Sequence, residues 1–407
     1  MVKKNIWIIN EYAGSPYHGM GVRHYYLGKE LLKFGYNVTI ITASYSHLFK
    51  NPPKVKDRFE LEKIDGIDYL WIKVPQYKKS WDKKRLVKWF LFTYFLFKLP
   101  LSKLSKPDYI IISTNETLPV LPAYKLAKKH NSKLIFEVRD IWPLSIIELG
   151  NYSPKHPFIK LLKYFEDMAI KKSDLIVSVL PNYGEYLKDN GYKDKNFIYI
   201  PNGVDLEDME RTEPLNEDIK KQIPMDKFKV AYTGTVGIAN ALEYLVEAGK
   251  ILKDYKDILI LIVGEGGEKE KLQKMAEGYD NIKFLPAIPK RQVQSLLSLV
   301  DACYIGWRNK NIYKYGVSAN KIFDYMYAGK PIIHAINTKN DIVTMANCGM
   351  SVEAENPKAI AEAILKLYNM SQGERKKLGE NGKKYVIENH SYEKLAKKLI
   401  KALEELK

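Results

Sequence analysis

The stretch NIWIINEYAGSPYHGMGVRHYYLGKELLKFGYNVTIIT, residues 5–42, decides the fold. Asn5–Asn10 is a short apolar run, followed by a loop carrying Gly14, Gly19 and Gly21. From Arg23 to Phe34 the apolar residues Tyr26, Leu27, Leu31 and Phe34 recur at helical spacing. Gly35 ends that helix, and Val38–Thr42 reads as a second strand. Strand, glycine loop, helix and strand make a βαβ unit, the building block of a parallel sheet covered by helices.

Working outward, the same logic predicts strands at Tyr109–Ser113, Lys133–Glu137, Leu175–Val179 and Phe197–Ile200, with helices such as Phe158–Ile170 between them. The pattern restarts near residue 228. Phe228–Thr233 is an apolar strand, Gly234–Gly237 a loop and Leu242–Leu252 a helix; later strands are expected at Ile258–Val263, Ile282–Leu285 and Ala302–Ile305. Asp205–Asp226 between the halves is polar and carries Pro214 and Pro224. The expected organisation is α/β: a first domain over 1–204, a second over 205–385, and a terminal segment over 386–407 crossing back to the first. Two doubly wound domains of this kind place their strand ends, where ligands bind, on both sides of one cleft.

The 407 residues carry a formal net charge of +17, and the excess is local. Residues 1–200 hold 33 Lys and Arg against 19 Asp and Glu, whereas residues 201–407 hold 32 against 29. Such asymmetry points to an anionic partner of the first half. Two cysteines, Cys303 and Cys348, are too few for a disulfide framework or a cysteine zinc site. No stretch approaches the roughly 20 apolar residues of a spanning helix, and the amino-terminal apolar run is too short for a signal peptide.

Several loops have the make-up of ligand sites. Gly19–Arg23 joins a strand to a helix, where glycines let backbone N–H groups approach a phosphate, with Arg23 and His24 in the first turn. Its spacing is not GxGxxG, which disfavours a dinucleotide. Arg139, Asp140 and Trp142 lie at a strand end; Asp140 suits proton transfer from a hydroxyl and equally suits helix initiation before Trp142-Pro143. In the second half Thr233–Gly237 and Val263–Gly267 are both glycine loops after strands, a pairing that favours a nucleotide. Tyr315–Pro331, YGVSANKIFDYMYAGKP, is the strongest signal. Ser318, Asn320 and Lys321 open a helix as a diphosphate site would require, and Asp324, one turn on, suits ribose hydroxyls. The plain alternative is an ordinary capped helix.

On Gly19–Leu27, Glu137–Pro143, Ile200–Asp205, Tyr232–Gly237, Val263–Gly267 and Ser318–Pro331, the chain resembles the family 4 retaining glycosyltransferases of the GT-B fold. Within them it resembles the branch of WbuB-type amino-sugar transferases of surface polysaccharide synthesis. The resemblance implies a retaining transfer of a hexosyl or N-acetylhexosaminyl unit from a UDP-linked nucleotide sugar to a lipid-linked saccharide. It implies Asp140 as the catalytic candidate, and Arg23, His24, Arg139 and Trp142 on the acceptor. Donor contacts would be Gly21, Gly234, Thr235, Gly237, Gly264, Glu265, Ser318, Asn320, Lys321 and Asp324. Asp324 stands at the second acid of the family's E-x7-E element, while Gly316 replaces the first. Arg139 stands where many relatives have a histidine. No Asp-x-Asp occurs, and the resemblance implies no metal and no cofactor besides the substrate.

Lys78–Lys106 holds nine Lys and Arg and one Asp around the aromatic run Trp89–Phe97. As a helix that run is only about 13 Å long, too short to span. Lysines flanking aromatics are the interfacial pattern, so Lys83, Lys84, Arg85, Trp89, Phe90 and Phe92 are expected to contact an anionic membrane surface. A cytoplasmic protein, peripheral on the inner face of the membrane, is the expected location. A buried helix with basic ends is the plain alternative, and no nucleic-acid motif accompanies the charge. Two other functions share this fold or these loops: a non-hydrolysing UDP-N-acetylglucosamine 2-epimerase, and a non-catalytic scaffold that binds a sugar nucleotide.

Overall fold

The computed structural model describes residues 3–19, 21–77 and 82–406. The chain divides into two compact units, residues 1–201 with 392–407, and residues 202–391. The junction thus falls at Asn202, three residues before the position expected from composition. The return to the first unit begins at Tyr392, not at 386. The reason is local: the helix Gln372–His390 continues through 386 as part of the second unit. Val204 N donates to His390 O at 2.9 Å, tying the first residues of that unit to its last.

The first unit contains β1 (Asn5–Ile9), β2 (Asn37–Ala43), β3 (Phe59–Ile64), β4 (Ile67–Ile72), β5 (Tyr109–Ser113), β6 (Lys133–Val138), β7 (Leu175–Ser178) and β8 (Phe197–Tyr199). They form one sheet in the order β3-β4-β2-β1-β5-β6-β7-β8. All neighbours are parallel except β3 and β4. Because helices cover both faces, the central strands are continuous apolar runs such as Ile110, Ile111 and Ile112, all buried. The β3–β4 hairpin is absent from the sequence reading. Its signal was the dipeptide Asp65-Gly66, both at positive φ, the turn that two-residue hairpins favour. Exposed Glu62 and Lys63 on β3 guard the sheet edge against further pairing.

The second unit contains β9 (Phe228–Thr233), β10 (Ile258–Val263), β11 (Ile282–Leu285), β12 (Ala302–Gly306), β13 (Ile332–Ala335) and β14 (Gly349–Val352). These are parallel throughout, in the order β11-β10-β9-β12-β13-β14. That is a doubly wound sheet whose winding reverses between β9 and β12; the first sheet reverses between β1 and β5. At such switch points the loops leaving the carboxyl ends of the strands diverge and leave room for a ligand.

The terminal helix Tyr392–Glu404 belongs to the core of the first unit. Leu395, Leu399 and Leu403 pack there with Tyr26 and Leu31 of the helix Arg23–Lys33, and Tyr392 stacks on Tyr26 with ring centroids 5.3 Å apart. Leu399→Ala should therefore destabilise the first unit by about 2–5 kcal/mol, the cost of an emptied leucine site. Urea unfolding would show a lower midpoint, and an unchanged midpoint would remove this helix from the core.

Candidate functional site

In the second unit, β9 runs into Gly234–Gly237 and β10 into Gly264–Gly267. The two loops are laced backbone to backbone. Gly234 N donates to Val263 O at 2.9 Å, Val236 N to Glu265 O at 2.8 Å, and Glu268 N to Val236 O at 3.1 Å. A Cβ on Gly264 would lie 1.8 Å from Gly234 O, and one on Gly266 would lie 2.1 Å from Val236 O. Glycine is therefore required by the close approach of two loops, independently of any ligand.

Above this floor stands Lys321, in the first turn of the helix Asn320–Tyr327. Its Nζ donates to the Tyr232 hydroxyl at 2.6 Å and to Asn240 Oδ1 at 2.9 Å, and lies 4.3 Å from the centre of the Tyr232 ring. No carboxylate among the described residues pairs with it, and burial lowers its pKa to about 8. The helix start has no side-chain cap on Ala319 and no acid in its first turn. A half-buried ammonium without a counter-ion, beside an uncapped helix start, is an arrangement completed by an anion.

The neighbouring candidates divide. Asn320 and Thr235 are exposed at the loop ends, and Gly237 is half-buried. Ser318 is engaged within the unit: its Oγ accepts from Asn202 N at 3.0 Å and its carbonyl from Asn202 Nδ2 at 2.8 Å. Glu265 is exposed and paired with Lys269 at 2.7 Å. Asp324 is buried, which raises its pKa, while Lys290 Nζ, 2.5 Å from Oδ1, opposes that shift. Oδ2 of Asp324 has no hydrogen-bond partner among the described residues. Lys290, Tyr232 and Asn240 were not singled out in the sequence, because their contacts with the helix span 34 to 89 positions along the chain.

In the first unit the expected phosphate contacts turn inward. Arg23 is 3% exposed. Its Nε and Nη2 donate to Glu137 Oε1 at 3.1 and 3.0 Å, Nη2 also donates to Ile200 O at 2.9 Å, and Nη1 donates to Pro201 O. His24 Nε2 lies 2.6 Å from Glu137 Oε2. Burial pulls the His24 pKa down, so its neutral ring presents the Nε2 proton to Glu137. Burial opposes ionisation of Glu137, yet Arg23 and His24 hold its pKa well below the usual range. Arg23 and His24 are thus corrected from acceptor contacts to internal partners of Glu137: a buried carboxylate needs both. Gly21 likewise serves its own loop, since a Cβ there would lie 2.2 Å from Tyr12 O.

Arg139, half-buried, leaves Nε without a partner among the described residues. Asp140 accepts from Ser145 Oγ and, at 3.1 Å, from Trp142 Nε1. Burial raises its pKa against these two bonds. Its partners are side chains at the start of the helix Leu144–Gly150; the cap position is Pro143, and no side chain caps that helix.

The basic aromatic segment forms the helix Lys83–Leu96, with Asp82 capping its start. Trp89 and Phe92, expected at a membrane, are 5% and 0% exposed and face the protein together with Lys88 and Leu96. Arg85 is also drawn inward, its Nε donating to the Tyr12 hydroxyl at 3.2 Å. Positions 88, 89, 92 and 96 share one helix face, which the unit buries. The opposite face exposes Leu86, Val87, Phe90 and Tyr94, with Phe97 just beyond and Lys83 and Lys84 at its start. Lys78, part of the same basic segment, lies outside the described residues. No helix among the described residues is long and apolar enough to cross a membrane.

Residues 17–208 match the family described as Glycosyltransferase Family 4, and residues 215–385 match the family described as Glycosyl transferases group 1. The two halves of the chain thus each match a glycosyltransferase domain, and its two α/β units have the GT-B fold. An uncharacterized glycosyltransferase of Methanocaldococcus jannaschii is 28% identical over 61% of this chain and 64% of its own length. The chitobiosyldiphosphodolichol beta-mannosyltransferase of Candida albicans is 25% identical over 44% of this chain and 41% of its own. This GT-B chain therefore spans less than two thirds of the curated relatives it matches. Among solved structures, Anabaena HepE in complex with UDP and glucose superposes with a TM-score of 0.65 at 12% identity, covering all of both chains.

The loop geometry yields a contrast that can be measured. Gly264→Ala should destabilise the second unit by more than the ~1–3 kcal/mol typical of overpacking, because the obstacle is backbone and φ is +151°. Gly267→Ala, with nothing within 4 Å of the added Cβ, should stay within about 0.5 kcal/mol. Equal melting temperatures for the two variants would refute the interlocked loops.

Proposed function

We propose that this chain transfers a hexosyl or N-acetylhexosaminyl unit, with retention of configuration, from a UDP-sugar to a lipid-linked saccharide during surface polysaccharide synthesis. Lys321 carries the reading: a half-buried ammonium with no acidic partner, set over a glycine loop beside an uncapped helix start. A diphosphate supplies the missing anion. Backbone N–H groups and the ammonium would stabilise the negative charge that develops on the leaving nucleotide. Oδ2 of Asp324 is left for a ribose hydroxyl. The reading assigns no metal or cofactor. UDP as the nucleotide draws support from the UDP-bound structural neighbour.

Retention and the resemblance to WbuB-type transferases rest on the motif pattern. In the first unit, Arg139 would meet an acceptor phosphate, with Asp140 and Trp142 beside it at the end of β6. A diphosphate-linked lipid acceptor is supported by the name of the Candida relative and by the apolar helix face with its flanking lysines. That face would lie on the inner leaflet.

Two measurements test this. Lys321→Met should weaken UDP binding by about 1–3 kcal/mol, the scale of a hydrogen bond to a charged group. In the wild type, affinity should be full below pH 8 and fall up to about tenfold per unit above it, as the free ammonium loses the proton the anion requires. Calorimetry showing the same affinity in both proteins would remove the diphosphate assignment. Incubation with UDP-sugars and a polyprenyl-diphosphate-linked saccharide should yield an extended lipid-linked product. UDP release without that product would overturn the transfer, and interconversion of the UDP-sugar would favour the epimerase.

At the membrane, Phe90→Asp with Tyr94→Asp should abolish co-sedimentation with anionic liposomes. Replacing Lys83 and Lys84 by Ala should weaken the salt-sensitive part. Undiminished sedimentation of the double Asp variant would refute the docking face.

A further inference from the structure

The first sheet reverses its winding between β1 and β5, and each strand delivers a glutamate just past its carboxyl end: Glu11 after β1 and Glu116 after β5. They are 1% and 0% exposed. None of their four carboxylate oxygens has a hydrogen bond of good geometry among the described residues, nor does Thr114 Oγ1 beside them. Among the described residues the cation buried with them is Lys88, from the inward face of the helix Lys83–Leu96. Its Nζ lies 3.5 Å from Glu11 Oε1, 3.5 Å from Glu11 O and 3.9 Å from the centre of the Tyr12 ring. Arg85 and Trp89 of the same helix both donate to the Tyr12 hydroxyl, at 3.2 and 3.0 Å. Every polar contact named here between this helix and the sheet falls on Glu11 and Tyr12.

A buried, half-satisfied ionic cluster is costly, and two carboxylates in one buried place cannot both ionise freely. Exposed apolar residues on the other face of the helix give it no hold on the unit. We infer that Glu11, Glu116 and Lys88 are positioning residues: they pin the helix Lys83–Leu96 onto the strand ends of the first unit, and a proton held by the carboxylate pair strengthens the pin. The inference goes beyond the proposed transfer and does not depend on it.

Burial and the charge of Glu11 raise the pKa of Glu116 to about 8, so it is neutral at pH 7; burial also lowers the pKa of Lys88, a shift that Glu11 and Glu116 oppose. The other titratable or charged groups facing the cluster are Arg85, Tyr12, Tyr77 and His47. Burial raises both tyrosines and lowers His47, moving all three away from the interval between pH 6.5 and 7.5. Once the helix lifts, Glu116 meets water and returns toward an ordinary carboxylate pKa. Glu116 therefore holds a proton in the docked state that it gives up in the open state, and its contribution makes docking weaken as pH rises.

Hydrogen exchange of the helix amides, corrected for the intrinsic pH dependence of exchange, reads the opening equilibrium on the full chain without any substrate. Through the proton on Glu116, opening should increase about tenfold from pH 6.5 to 7.5 in the wild type. Glu116→Gln, which keeps the shape of the protonated acid, should abolish that rise. Lys88→Met should open the helix at every pH in this interval. If Lys88→Met does not fold, the isosteric Gln variant alone decides. A pH dependence of opening that is the same in the wild type and in Glu116→Gln would overturn the inference.

Discussion

The second unit depends on a contact that no side chain makes. Gly234 O presses against the Cα of Gly264 so closely that a Cβ would fall 1.8 Å from it. This approach lets the loops after β9 and β10 hydrogen-bond to each other instead of to water. The loops then form a floor, over which Lys321 reaches Tyr232 and Asn240. The ammonium is dry enough to lose part of its preference for the charged form, and it has no acid to restore it. The diphosphate of the proposed donor would supply the anion that this ammonium lacks.

The first unit solves the opposite problem. Its strand ends collect acids, and basic groups from elsewhere in the unit are drawn to them. Glu137 on β6 takes Arg23 and His24 from the first helix, a pairing that also ties Ile200 and Pro201 to that helix through the guanidinium. Glu11 takes Lys88 from a helix whose other face remains apolar and exposed. The positive balance of residues 1–200 is thus divided. Part of it neutralises buried carboxylates, and part, including Lys83 and Lys84, stays outside.

Sequence patterning is informative where a rule is local. The βαβ units, the glycine loops and the helix opening at Asn320 each follow from residues within one or two turns of one another. The Asp65-Gly66 hairpin was equally local, and its turn signal stood in plain view. Partners far apart in the chain are another matter. Lys290 meets Asp324 across 34 positions, and Glu137 meets Arg23 across 114. Nothing in either segment alone says that a conspicuous arginine will be spent on a buried acid.

The helix Lys83–Leu96 shows the division most clearly. By itself the sequence determined two parallel α/β units, the glycine loops that end their strands, the lysine at Lys321 and a basic helix rich in aromatics. It could not choose between that helix's two faces, because both are apolar: Trp89 and Phe92 on one, Phe90 and Tyr94 on the other. Only the tertiary structure decided, by putting Lys88 on the first face against Glu11 and Tyr12. Periodicity reports which residues share a face, and the buried charges of another segment decide which face turns inward.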